Sequence, residues 1–180
     1  MDDLILNDEF EWFDQERYDR MPDEASTAKR EFLPNGTYIE LQVTKAGKYY
    51  TAIPKDSYFM LQKVYYPSGR ISTKGWAYID FFAKGVWPNF DEEGNLTLKW
   101  DWDKPFTFTF EDVLKFCQKN NIEVKKGSGT EVHTSINREA DEEMAAWAIR
   151  YEKRFDLVEI IYLDGKTGKE IRRDSMQMRL

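Results

Sequence analysis

Residues 57–102 read SYFMLQKVYYPSGRISTKGWAYIDFFAKGVWPNFDEEGNLTLKWDW. Ser57 to Tyr66 is an apolar stretch of strand length, stopped by Pro67-Ser68-Gly69, and Arg70 to Phe82 follows with Gly75 inside it, where a bulge or close backbone approach is expected. Gly85 to Phe90 and Asn95 to Trp102 continue the pattern across the turn Asp91-Glu92-Glu93-Gly94. Upstream, Thr37 to Val43 (TYIELQV) alternates as a half-buried strand does, with Gly36 before it. Short strands joined by glycine turns predict an antiparallel β-meander.

Downstream, Thr107 or Thr109 is expected to open a helix whose apolar face is Val113, Leu114, Phe116 and Cys117, ended by Asn120-Asn121. Ile122 to Val124, Glu131 to Asn137, Ala145 to Lys153, Leu157 to Leu163 and Lys169 to Met176 read as strands, the last two joined by Asp164-Gly165-Lys166-Thr167-Gly168. Arg138 to Ala146 is equally compatible with a helix. The fold class is therefore α+β: a β-meander, then a helix and a three- to four-stranded antiparallel sheet. Three regions are expected, an acidic aromatic segment over 1–30, the meander over 31–104 and the α+β module over 105–180, with the last two free to share one core.

The 180 residues carry 26 bases and 33 acids, a net of -7, but the charge is not spread evenly. Residues 1–24 hold ten acids and two bases, a net of -8, while residues 25–180 hold 24 bases and 23 acids, a net of +1. A neutral body with an acidic segment does not bind nucleic acid by counterion release, so no nucleic acid is expected as a partner. That segment also holds Phe10, Trp12, Phe13 and Tyr18. Asn7 is expected to cap a helix from Asp8 to Met21-Pro22, its aromatics docking on the body or its Asp8, Glu9, Glu11 and Asp14 steering a basic partner onto Trp12.

Chemistry-bearing patterns are sparse. One cysteine, Cys117, and one histidine, His133, are too few for a disulfide or a Cys/His zinc site, and no cofactor is expected. Gly165-Lys166-Thr167-Gly168-Lys169 lacks the spacing of a phosphate loop and reads as a hairpin turn. Gly127-Ser128-Gly129 lacks that of a nucleophile elbow, and His133 has no nucleophile beside it. A non-enzymatic protein is expected. No apolar run is long enough to span a membrane and Met1-Asp2-Asp3 does not open a signal peptide, which predicts a cytoplasmic protein, or an envelope one if a signal sequence has been removed. Trp100-Asp101-Trp102-Asp103 alternates, so as a strand it places both indoles on one face and both carboxylates on the other, either with the indoles in the core or as a partner-facing or sugar-stacking platform.

Two resemblances follow from these residues. Tyr65-Tyr66-Pro67-Ser68-Gly69-Arg70-Ile71 with Gly75, and Gly85-Val86-Trp87-Pro88-Asn89-Phe90-Asp91-Glu92-Glu93-Gly94-Asn95-Leu96, resemble the aromatic-turn-glycine hairpins of MORN-variant proteins, with about two units over residues 62–100. The nearer likeness is to bacterial antitoxin or immunity components bearing such repeats. Trp147 to Tyr151 and Ile161 to Ile171 are similar to the last two strands of a PepSY-type module over about 107–173. The resemblances imply an immunity protein or antitoxin that occludes a cognate toxin, and the clustering of acids and aromatics puts the expected contacts at Asp8, Glu9, Glu11, Trp12, Asp14, Asp91, Glu92, Glu93, Trp100, Asp101, Trp102 and Asp103. Alternatives are a PepSY-like regulator of a peptidase or envelope assembly and a carbohydrate-binding module.

Overall fold

The structure, a computed structural model, describes residues 4–22, 27–79, 82–127, 134–141 and 144–177. The chain divides into two compact units, Met1–Trp102 with Lys126–Ser128, and Asp103–Lys125 with Gly129–Leu180.

The first unit is an antiparallel meander of β1 (Ala28–Phe32), β2 (Tyr38–Val43), β3 (Lys48–Ile53), β4 (Phe59–Tyr65), β5 (Ile71–Tyr78), β7 (Val86–Phe90) and β8 (Leu96–Asp101), with β6 (Phe82–Lys84) paired to β5. The period-2 pattern decides its faces. Ile39, Ala52, Leu61 and Trp76 lie in one cross-strand row, and Leu41, Tyr50, Lys63 and Lys74 in the next. This face is buried and receives Phe13 and Met21 from the N-terminal segment. Each fully buried aliphatic side chain contributes about 1.5–3 kcal/mol, so this row supplies much of the unit's stability. Ile53, Met60 and Ala77 alternate onto the other face, where Tyr38 and Trp87 pack on them.

Gly75 is the close approach that the sequence marks. A Cβ there would lie 2.1 Å from Trp87 Nε1, because the indole crosses β5 at this point and donates to Trp76 O (3.1 Å) and Lys84 O (3.2 Å). Proline is tolerated in β7 because Trp87 and Asn89 pair with Trp100 and Leu98 of β8, which turns the donor-less nitrogen of Pro88 away from that ladder.

The second unit is α2 (Phe110–Lys119) with a sheet ordered β12 (Glu170–Gln177), β11 (Leu157–Asp164), β10 (Ala145–Arg154) and β9 (Thr134–Ala140). Thr109 and Asp112 form a reciprocal capping box, whose bonds to Lys115 and Thr109 hold the Asp112 carboxyl down at about 2. Trp147 is the pivot of this core: its Nε1 donates to Phe108 O (2.9 Å) and its ring meets Phe106 and Phe110. Cys117 is buried on α2, and burial pushes its thiol up to about 12.

Several expectations change. The N-terminal helix α1 is only Gln15–Arg20, capped by Asp14, whereas Asn7 accepts from Glu9 N (3.2 Å) in a local turn. Residues before it are extended because they pair at long range: Ile71 N donates to Glu11 O (3.1 Å), Phe13 N to Gly69 O (2.8 Å), and Trp12 bridges Arg70. The stretch Arg70 to Phe82 is two strands, β5 and β6, and Ile122 to Val124 is not a strand. Arg138 lies in β9 and Ala145 and Ala146 in β10, so no helix forms from these residues. β1 and β3 were not expected. Glu131, His133, Ser128, Gly129 and the acids Asp2, Asp3, Asp23 and Glu24 lie outside the described residues.

Candidate partner-binding surface

The N-terminal segment lies on the buried face of the first sheet, and its carboxylates are used there. Glu11 bonds Lys63 (2.9 Å) and approaches Lys74 (3.6 Å), and Tyr65 Oη donates to it (3.4 Å). Lys74 is 1 % exposed, so its ammonium needs internal acceptors, and it donates to Asn7 Oδ1 (2.9 Å) and Glu9 O (2.7 Å). Burial lowers the pKa of Lys74, opposed by Glu11. Asp8 pairs with Lys99, which lowers its carboxyl pKa. Asp14 accepts from Arg17 N (2.8 Å) as the cap of α1. Of the expected steering groups, Asp8 and Glu11 therefore bond to the segment's own sheet, and Asp14 is taken up in capping α1.

Trp12 is different. It is 57 % exposed, with Phe10 edge-on at 5.5 Å between centroids and the Arg70 guanidinium 5.2 Å from its ring. Arg70 Nη1 also donates to Glu92 O (2.7 Å), and the Phe10 ring covers Gly94, where a Cβ would come within 2.7 Å. The Asp91–Gly94 turn is held by Asp91, which accepts from Asn95 N (2.8 Å) and Asn95 Nδ2 (3.0 Å), and these bonds lower its pKa. Glu92 and Glu93 stay exposed. The structure thus joins Trp12 to Glu92 and Glu93 in one patch, through Phe10 and Arg70.

Trp100 and Trp102 form a second patch at the other end of the β7–β8 hairpin. They are 52 % and 43 % exposed with centroids 5.9 Å apart, so the indole side of this stretch does not enter the core. Trp102 follows the last residue of β8, in a turn, so the expected strict alternation ends at Asp101. Asp103 belongs to the second unit and pairs with Arg138 (2.8 Å), whose guanidinium lies over the Phe106 and Trp147 rings.

Sequence reading omitted Arg70, Lys63, Lys74 and Leu98 from the site. A lysine at position 74, on the apolar side of an alternating strand, signals a buried ion pair, whereas the partner of Arg70 is set by a turn 22 residues away. An apolar cavity of about 360 Å³ lies beside Leu6, Phe59, Trp76 and Val86, with Lys84 4.3 Å over the Phe59 ring. Among the described residues no cluster of three or more His, Cys, Asp or Glu could hold a metal ion, and no helix is long and apolar enough to cross a membrane. No family model, curated protein or solved structure matches the chain.

Proposed function

We propose that the protein is a non-enzymatic binding protein, an immunity protein or antitoxin that neutralises a cognate bacterial toxin by occlusion in the cytoplasm. The observation that carries this reading is the Phe10, Trp12, Arg70 and Asp91–Gly94 patch, an exposed aromatic pair in contact with Arg70 beside two solvent-facing carboxylates. A tryptophan anchor ringed by charge is the composition of a binding hot spot, and Glu92 and Glu93 suit a basic toxin cleft. The MORN-variant reading of the meander and the PepSY-like reading of the helix with its four strands are part of this proposal. A PepSY-like regulator of a peptidase is the second reading, favoured by the second unit's helix and four-stranded antiparallel sheet.

The test is co-purification with the product of the neighbouring gene, together with protection of cells expressing it. Trp12→Ala should weaken the complex at least about tenfold, and Glu92→Lys with Glu93→Lys should slow association more at low salt than at high salt. Deleting residues 1–24 is a poor probe, because it also removes Phe13 and Met21 from the core. Absence of both complex and protection rejects the immunity reading; a complex with a peptidase, together with altered peptidase activity, selects the second.

A further inference from the structure

β8 is the outermost strand of the first sheet, hydrogen-bonded to β7 on one side and exposed at every residue. A flat edge with large apolar side chains is a template for another strand. Leu98 is 51 % exposed and Trp100 52 %. Trp102 N donates to Gly85 O (3.0 Å), which continues the β7–β8 ladder past Val86↔Asp101. Backbone alternation then turns Leu98 and Trp100 toward β7, and Lys99 and Asp101 toward the open edge.

We propose that β8 pairs antiparallel with β8 of a second copy of this chain, about a twofold axis at Trp100, joining the two sheets edge to edge. The register follows by elimination. Centring on Lys99 sets two lysines directly opposite, which is destabilising. Centring on Leu98 runs the ladder through the irregularity that skips from Asn89↔Leu98 to Phe90↔Leu96. Centring on Trp100 uses the regular part of the strand and one position past its end, where Trp102 N still donates to Gly85 O (3.0 Å). It sets Lys99, whose ammonium also bonds Asp8 of its own chain, opposite Asp101 twice, brings the two Trp100 side chains together at a close, non-hydrogen-bonded pair, and places Leu98 opposite Trp102. Two residues of opposite sign flanking one indole are self-complementary only toward an antiparallel copy of themselves. The pairing leaves Trp12 and the Asp91–Gly94 turn outside the contact, so it does not use the patch that carries the toxin-binding reading. The short contact makes a weak, concentration-dependent dimer.

Sedimentation of the whole chain from about 1 to 500 µM should show the mass rise from 21.4 kDa toward twice that value. Asp101→Lys, which faces Lys99 with a second lysine, should weaken association about tenfold, and the exchange Lys99→Asp with Asp101→Lys should restore it. Oxidation should link Trp100→Cys into a covalent dimer, since directly opposed Cα atoms fall in disulfide range, and should leave Leu98→Cys monomeric. The buried Cys117 does not compete. A mass that stays at 21.4 kDa throughout, a charge exchange that fails to restore a lost dimer in a variant with native melting, or cross-linking of Leu98→Cys in place of Trp100→Cys would each overturn the proposal.

Discussion

β8 and β12 end their sheets in the same way, each an edge strand exposed along its whole length, yet they are built for opposite outcomes. β12 carries Arg172, Arg173 and Asp174 in succession, cross-braced by Arg173 to Glu170 (2.8 Å) and Glu159 (3.3 Å), Arg172 to Asp174 (3.1 Å), and Arg172 over the Tyr162 ring. Its exposed Ile171 and Met176 stand on either side of that charged block. β8 carries two charges, Lys99, which pairs with Asp8, and Asp101, with Trp100 between them. Exposure alone does not define an interacting edge; the order of charges along the strand decides whether a neighbour is repelled or received.

Gly75→Ala should destabilise the first unit by about 2 kcal/mol or more, because the new methyl displaces the Trp87 indole that seats the β7–β8 hairpin on β5. Denaturant titration checks this, and adding Trp87→Leu should recover part of the loss. Gly168→Ala, just before β12, meets the Phe108 ring at 2.2 Å and a φ of +70°, and should cost a similar amount in the second unit.

A smaller effect should appear if β12 is stripped of its charges. Arg172→Val with Asp174→Val removes the block between Ile171 and Met176, and light scattering should show new association through an edge that repels it in the native chain.

The third prediction concerns acid. Glu159 is 6 % exposed and bonded by Lys153 (2.7 Å) and Tyr151 (2.6 Å), and Lys153 foremost lowers its pKa below the ordinary 4.5. A depressed carboxylate stabilises the fold above its unfolded pKa and ceases to do so as pH falls through the folded value. The melting temperature of Glu159→Gln should therefore lie below that of the native chain at neutral pH, and the gap should close as pH falls below the ordinary carboxylate range and through the lowered folded-state value. The smallest effect belongs to Asp8→Asn, which removes an exposed partner of Lys99 and should leave thermal melting unchanged at physiological salt.

Much of the meander was legible because β4, β5, β7 and β8 are stretches of strand length punctuated by Gly69, Gly85 and Gly94, each with positive φ. β1 was not, since Lys29, Arg30 and Glu31 mask its pattern and its place in the sheet comes from pairing with β2. β3 carried a readable signal in Tyr50, Ala52 and the preceding Gly47. The N-terminal segment was misread as helix from Asp8 because local cap chemistry is visible in sequence, whereas its hydrogen bonds to Gly69 and Ile71 are made to a distant strand. For the same reason Trp12 and the Asp91–Gly94 turn were legible separately but not as one patch: the residue that joins them, Arg70, is a single exposed arginine without a motif.

Cys117 gives the second unit a built-in clock. It is the chain's one cysteine, it is 1 % exposed, and its thiol is far less acidic than a free one, so a thiol reagent reacts only when α2 moves away from its packing. The labelling rate then measures how often this unit opens while the first unit stays silent. Comparing the rate in Gly168→Ala and in Gly75→Ala separates opening of the helix-bearing unit from unfolding of the whole chain, without any introduced probe.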